Sequence, residues 1–173
     1  MVKYDSMEGD ESLARLRRIC GIGSWISLIA SLALVCILLV NVVILSMSAL
    51  DPDFCLPTLT HTQTCISSME DVLFCAFNVI LCLIAYRILK QTSVHYTPFT
   101  RDNVIGMKVM SVICLVAFAI ILLAQVFMLI IMDADEFFVE FPLEFIVIAV
   151  ITYVFALLIE YGTVLQTESD HFL

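Results

Sequence analysis

Residues 25–47 read WISLIASLALVCILLVNVVILSM, with no charged side chain and one amide, Asn41. Crossing a hydrocarbon layer of ~30 Å takes about 20 helical residues, so this run spans a bilayer outright. Three further apolar runs follow, at 72–89, 109–132 and 145–165, and the third of the four is also long enough outright. The connections between them decide the topology. All eight basic residues, Lys3, Arg15, Arg17, Arg18, Arg87, Lys90, Arg101 and Lys108, lie in the N-terminal segment or around the second connection. Residues 48–71 and 133–144 hold none. Cytoplasmic loops carry the excess of Lys and Arg, so both termini and the middle connection are expected in the cytoplasm. A wrong helix count would scatter the bases over both sides.

The expected architecture is all-α: a polytopic membrane protein built as an antiparallel bundle of four transmembrane helices. Residues 1–18 form a cytoplasmic tail and 19–173 the membrane domain, with helices near 24–48, 70–90, 101–132 and 142–165. Hydrophobic residues make up 62% of the chain and charged residues 14%, against roughly half and a quarter in soluble domains. The first apolar run exceeds the ~7–15 residues of a signal-peptide core, so it is read as an uncleaved first helix. The net charge of −9 divides unevenly. The outer connections carry nine acids and no base, whereas the inner side is balanced. The outer face therefore attracts cations, although exclusion of bases from that side accounts for the pattern equally well.

Few polar groups sit deep in the apolar runs. Asn41, Asn78 and Gln125 are expected to face the bundle, since an amide in lipid needs a partner. Glu160 lies toward the cytoplasmic end of the last run. It is read as an ion pair with Arg87, Arg101 or Lys108, with a proton- or cation-coupling role as the competing reading. Cys55 and Cys65 share the first outer connection, where a disulfide, two free thiols and a catalytic dithiol all remain open. Conventional catalysis has no support: no nucleophile–base pair, metalloprotease motif or phosphate loop occurs. The chain is read as a non-enzyme without cofactor or metal site.

The second connection is the most specific loop. Pro98-Phe99-Thr100-Arg101-Asp102-Asn103-Val104 reads as a helix start, with Pro98 stopping the previous helix and Thr100 as N-cap. Phe99 and Val104 are placed to form a hydrophobic staple. The C-terminal segment carries Leu158-Ile159-Glu160-Tyr161-Gly162 and then Leu165-Gln166-Thr167-Glu168-Ser169-Asp170. With four helices in this length, these two segments resemble the YoaS-like family of small bacterial integral membrane proteins, whose activity is not established. The resemblance implies a multi-pass protein of the bacterial plasma membrane. It also implies a cytoplasmic partner, a small helix-turn-helix transcription regulator, with no direct contact between this chain and nucleic acid. The implied working surface is Pro98, Phe99, Thr100, Asn103, Glu160, Gly162, Gln166, Glu168 and Asp170. A structural reading stands beside it: the same residues lock the inner ends of the last two helices together. Alternative functions are a small transporter or efflux component, with a homo-oligomer as one form open to it, and a thiol redox membrane protein resting on Cys55 and Cys65.

Overall fold

The computed structural model describes residues 2–51, 53, 54, 56, 60–95, 100–132 and 141–171, with side chains described outside 2–13, 95, 129, 131, 132 and 166–171. Cys55, Pro98 and Phe99 lie outside the described residues, as do the side chains of Gln166, Glu168 and Asp170. Four helices make up the fold: α1 (Val2–Leu50), α2 (His61–His95), α3 (Arg101–Met132) and α4 (Leu143–His171). No strand occurs among the described residues. Each helix contains a stretch long and apolar enough to cross a membrane: Ala14–Leu50, His61–Val94, Arg101–Met128 and Leu143–Leu165. A helix satisfies its own backbone polar groups, which hydrocarbon cannot do, so apolar runs of this length settle as continuous helices.

Several boundaries differ from the sequence expectation. The segment expected as a tail is helical from Val2, so α1 continues beyond its apolar span. The second helix begins at His61 instead of near residue 70. The cause is a reciprocal cap. Thr60 Oγ1 accepts from the Gln63 amide at 3.3 Å, and Gln63 Oε1 accepts from the Thr60 amide at 3.0 Å. Thr-x-x-Gln is thus a capping box, and it satisfies donors that an early start would otherwise leave bare. The third helix occupies the expected residues 101–132. Thr100 caps it as expected, its Oγ1 accepting from the Asn103 amide at 3.3 Å. The fourth helix runs past the expected residue 165 to His171.

Packing follows chain order. Backbone approach is found between α1 and α2, α2 and α3, and α3 and α4, and between no other pair among the described residues. Ser27 Oγ donates to the Cys82 carbonyl at 2.7 Å, which sets the early half of α1 beside the later half of α2. The core is made by α2, α3 and α4. Leu81, Cys114, Ala117, Ile121, Phe145 and Ala149 form one buried cluster. Phe74 of α2 meets Phe145 of α4 edge to face, with centroids 5.5 Å apart. α1 stands outside this cluster, flanking α2.

The distribution of polarity is inverted relative to a water-soluble bundle. Ser24, Ser31, Ser48, Thr64, Ser68, Thr92, Asn103, Ser111 and Gln125 are buried, whereas Trp25, Ile29, Leu32, Leu123, Phe127 and Leu158 are exposed. Small and hydroxylated residues let helices approach when lipid supplies no hydrophobic drive between them. Large aliphatics then face acyl chains at no cost. This is the surface of a multi-pass membrane protein.

Glycine sets the closest approach. A Cβ on Gly106 of α3 would lie 3.1 Å from Ile88 Cδ1 of α2, while one on Gly23 of α1 would lie 3.4 Å from Leu89 Cδ1. A larger side chain at residue 106 must push α2 and α3 apart. Gly106→Leu is expected to cost about 1–3 kcal/mol by overpacking, and Gly23→Ala to stay within about 0.5 kcal/mol. Reversible unfolding in mixed micelles, followed by helicity, measures both.

Candidate functional site

The helix contacts bring the two sequence motifs to one end of the fold. A Cβ on Gly21 of α1 would approach Ser93 of α2, Asn103 of α3 bonds Thr92 of α2, and Lys108 of α3 bonds Glu160 of α4. This is the basic end. The opposite, acidic end holds Asp51, Asp53, Glu70, Asp71 and Glu144 among the described residues.

At the basic end a short polar relay ties α3 to α2. Asn103 is buried, and its Nδ2 donates to Thr92 Oγ1 at 3.1 Å. Thr92 Oγ1 in turn donates to the Ile88 carbonyl at 2.9 Å. Thr100, one turn before, caps the helix that presents Asn103. Asn103 therefore serves packing between helices and is not exposed to a partner. Burying an amide is tolerated only when it is hydrogen-bonded, and a bonded one fixes the register of its helix.

Around this relay lie the exposed charges. Lys108 Nζ donates to both carboxylate oxygens of Glu160, at 2.8 and 3.0 Å. Of the three cations the sequence offered to Glu160, Lys108 is the one that reaches it. Its side chain and that of Glu160 are 37% and 49% exposed. Gln91 Nε2 donates to Asp102 Oδ2 at 3.3 Å. Lys90 donates to the Tyr86 hydroxyl at 2.8 Å. Among the described residues, no carboxylate comes within ion-pair distance of Arg87 or Arg101. Gly162 follows Glu160 within α4, partly buried, and Gln166, Glu168 and Asp170 continue the same helix.

The deep amides part company. Asn41 of α1 stands beside the Cys75 side chain of α2, and Gln125 Nε2 of α3 donates to Glu70 Oε1 of α2 at 2.6 Å. Both face a neighbouring helix, as expected. Asn78 instead donates to the Phe74 carbonyl of its own helix at 2.9 Å, so it does not bridge. Gln125 is fully buried, and its Oε1 has no hydrogen-bond partner among the described residues.

At the acidic end, His61 Nε2 lies 2.7 Å from the Ser48 carbonyl and 3.8 Å from Cys65 Sγ. His61 thereby pins the start of α2 to the end of α1. Residue 61 precedes the expected start of the second helix near residue 70, and the Thr60–Gln63 cap makes it helical. Cys65 is a buried free thiol, and the pairing considered for it involves Cys55, outside the described residues. Groups of three or more His, Cys, Asp or Glu able to hold a metal ion are absent among the described residues.

Comparison with protein-family models, curated proteins and solved structures finds no match to this chain.

The ion pair at the basic end lends itself to a charge exchange. Lys108→Glu and Glu160→Lys should each destabilise, by like-charge contact, while the double exchange restores most of the loss. Half-exposed pairs couple by about 0.2–1 kcal/mol in double-mutant cycles. A coupling energy in that range, read by unfolding in micelles, is the expected result.

Proposed function

We propose that the chain is a plasma-membrane interaction protein whose basic end faces the cytoplasm and docks a cytoplasmic protein. The observation that carries this reading is the projection of two helices at that end. α1 extends from Val2 to the start of its span at Ala14, and α4 continues from the end of its span at Leu165 to His171. At this end α1 packs on α2 and α4 packs on α3, and at the start of α3 Arg101 is exposed and without a carboxylate partner among the described residues. A membrane protein whose terminal helices rise out of the bilayer beside a rigidly capped helix start has a surface suited to a partner. The up-down-up-down topology with both termini inside rests on the contacts that pair successive helix ends, together with the one-sided placement of all eight bases. The partner implied by the sequence resemblance is a small helix-turn-helix regulator, held at the membrane and released on a signal. The bacterial source rests on that resemblance as well.

The division of labour within the motif residues follows from their burial. Thr100 and Asn103 build the platform, and contact falls to Arg101 and to the projecting end of α4. The transport alternative draws on Asn41, Asn78, Gln125 and Glu160. Asn78, Gln125 and Glu160 bond Phe74, Glu70 and Lys108, Asn41 stands beside Cys75, and no bond links one of the four to another. Interaction is therefore the better supported reading.

The test is in-cell crosslinking and purification of the tagged protein from membranes, followed by mass spectrometry. A small regulator recovered in near-stoichiometric amount, weakened by Arg101→Glu at unchanged protein level, is the expected outcome. Recovery of the chain alone, or only with itself, moves the reading to transport or assembly. Topology has its own check: cysteines introduced at residues 2–13 and 166–171 should be protected from an impermeant thiol reagent in intact cells.

A further inference from the structure

A groove of about 230 Å³ runs between α2 and α3 at the basic end. Its apolar walls are Ile84, Ile88, Ile105 and Val109, and Gly106 lets the two helices close over its floor. A second apolar depression of about 280 Å³ shares Ile105 and Val109 and continues along α3 over Val112 and Ile113. In a bilayer such a furrow is filled by an acyl chain. The polar residues of the groove are Arg87, Gln91 and Asp102.

Their order along the helices identifies the headgroup. Arg87 lies two turns before the end of the apolar span at Val94, deeper than Gln91. Asp102 lies at the first turn of α3, toward water, where Gln91 reaches it. The cation is thus on the membrane side and the carboxylate on the water side. Arg87 is exposed and has no carboxylate within ion-pair distance among the described residues. Lys108, which lines the adjoining depression, is already held by both oxygens of Glu160. A purely anionic headgroup would satisfy Arg87 and then meet the Asp102 carboxylate. A phospholipid whose phosphate is followed outward by a primary ammonium satisfies both.

The geometry points to a seat for phosphatidylethanolamine in this groove. The Arg87 guanidinium binds the phosphodiester, for which its planar fork is well matched. Asp102 accepts from the ammonium, and one acyl chain lies over Ile84, Val109 and Val112. The 3.3 Å bond from Gln91 is long and leaves the carboxylate capacity for further donors. Phosphatidylcholine has no N–H to donate, and phosphatidylglycerol has no cation.

The experiment is native mass spectrometry of the full chain released from nanodiscs of equal parts phosphatidylethanolamine, phosphatidylcholine and phosphatidylglycerol. The wild type is expected to retain phosphatidylethanolamine above both others. Arg87→Gln should cut the retained lipid about tenfold, the scale of one charge-assisted hydrogen bond. Asp102→Asn should bring phosphatidylethanolamine down to parity with phosphatidylcholine. Arg101→Gln removes the same charge outside the groove and should change retention by less than about twofold if attraction is local. Val109→Trp, which fills the groove without touching a charge, should remove the bound lipid and covers the case of a charge variant that fails to fold. Equal retention of the three lipids by the wild type overturns the proposal. So does a preference for phosphatidylglycerol, an equal loss in Arg101→Gln, or a preference that survives both groove-charge variants.

Discussion

Everything in this fold depends on the exclusion of water from the backbone. In hydrocarbon an unpaired N–H or C=O costs several kcal/mol, on the order of a whole interhelical contact. The chain therefore commits to long uninterrupted helices before any packing decision is made. Side chains then sort by what lipid does not provide. Lipid supplies apolar contact everywhere, so large aliphatics gain little by meeting one another and most remain outside, Leu81 and Ile121 of the core cluster being exceptions. It supplies no hydrogen bonds in its interior, so serines, threonines and amides turn inward, and their bonds choose which helices meet.

That choice makes α2 the organising helix. α1 reaches it through Ser27, which bonds the Cys82 carbonyl, and at the acidic end through the Ser48 carbonyl, which meets His61 of α2. α3 reaches it through Asn103 at the basic end and Gln125 toward the acidic end. α4 touches it through the Phe74–Phe145 ring pair while packing its backbone on α3. Two polar ties separated along α3 fix the register of α2 against α3, because sliding by one turn would leave Asn103 and Gln125 with apolar neighbours. Gly106 sits between those ties and nearer the first, where the helices are closest.

The sequence displayed the parts of this that depend on composition and hid those that depend on register. Apolar runs and charge placement were legible because the bilayer reads them directly. Thr100 was legible as a cap because its neighbours form a sharp local pattern. The Thr60–Gln63 cap was present in the same letters, but it stands in a hydroxyl-rich stretch where many residues resemble caps, and the acids at 70 and 71 offered a plausible later start. Glu160 announced a need for a cation without naming it. Lys108 answers because α3 and α4 meet at that level, a fact set by side-chain packing in the core. Asn78 illustrates the limit: an amide deep in a span needs an acceptor, but its own helix can supply one.

The burial of Asn103 changes what the motif at residues 98–104 means. A polar residue in a sharply patterned loop invites a functional reading, yet here its side chain is enclosed by the two helices it joins. Its neighbours divide between roles by depth. Thr100 and Asn103 face inward and define the angle at which α3 leaves the membrane. Arg101 and Asp102, which lie between that pair in the sequence, are exposed. A helix places successive residues about 100° apart, so a segment of this length necessarily presents both a structural face and an available one. Under the interaction reading proposed above, contact at the basic end falls to the available face, and the structural face holds that face still.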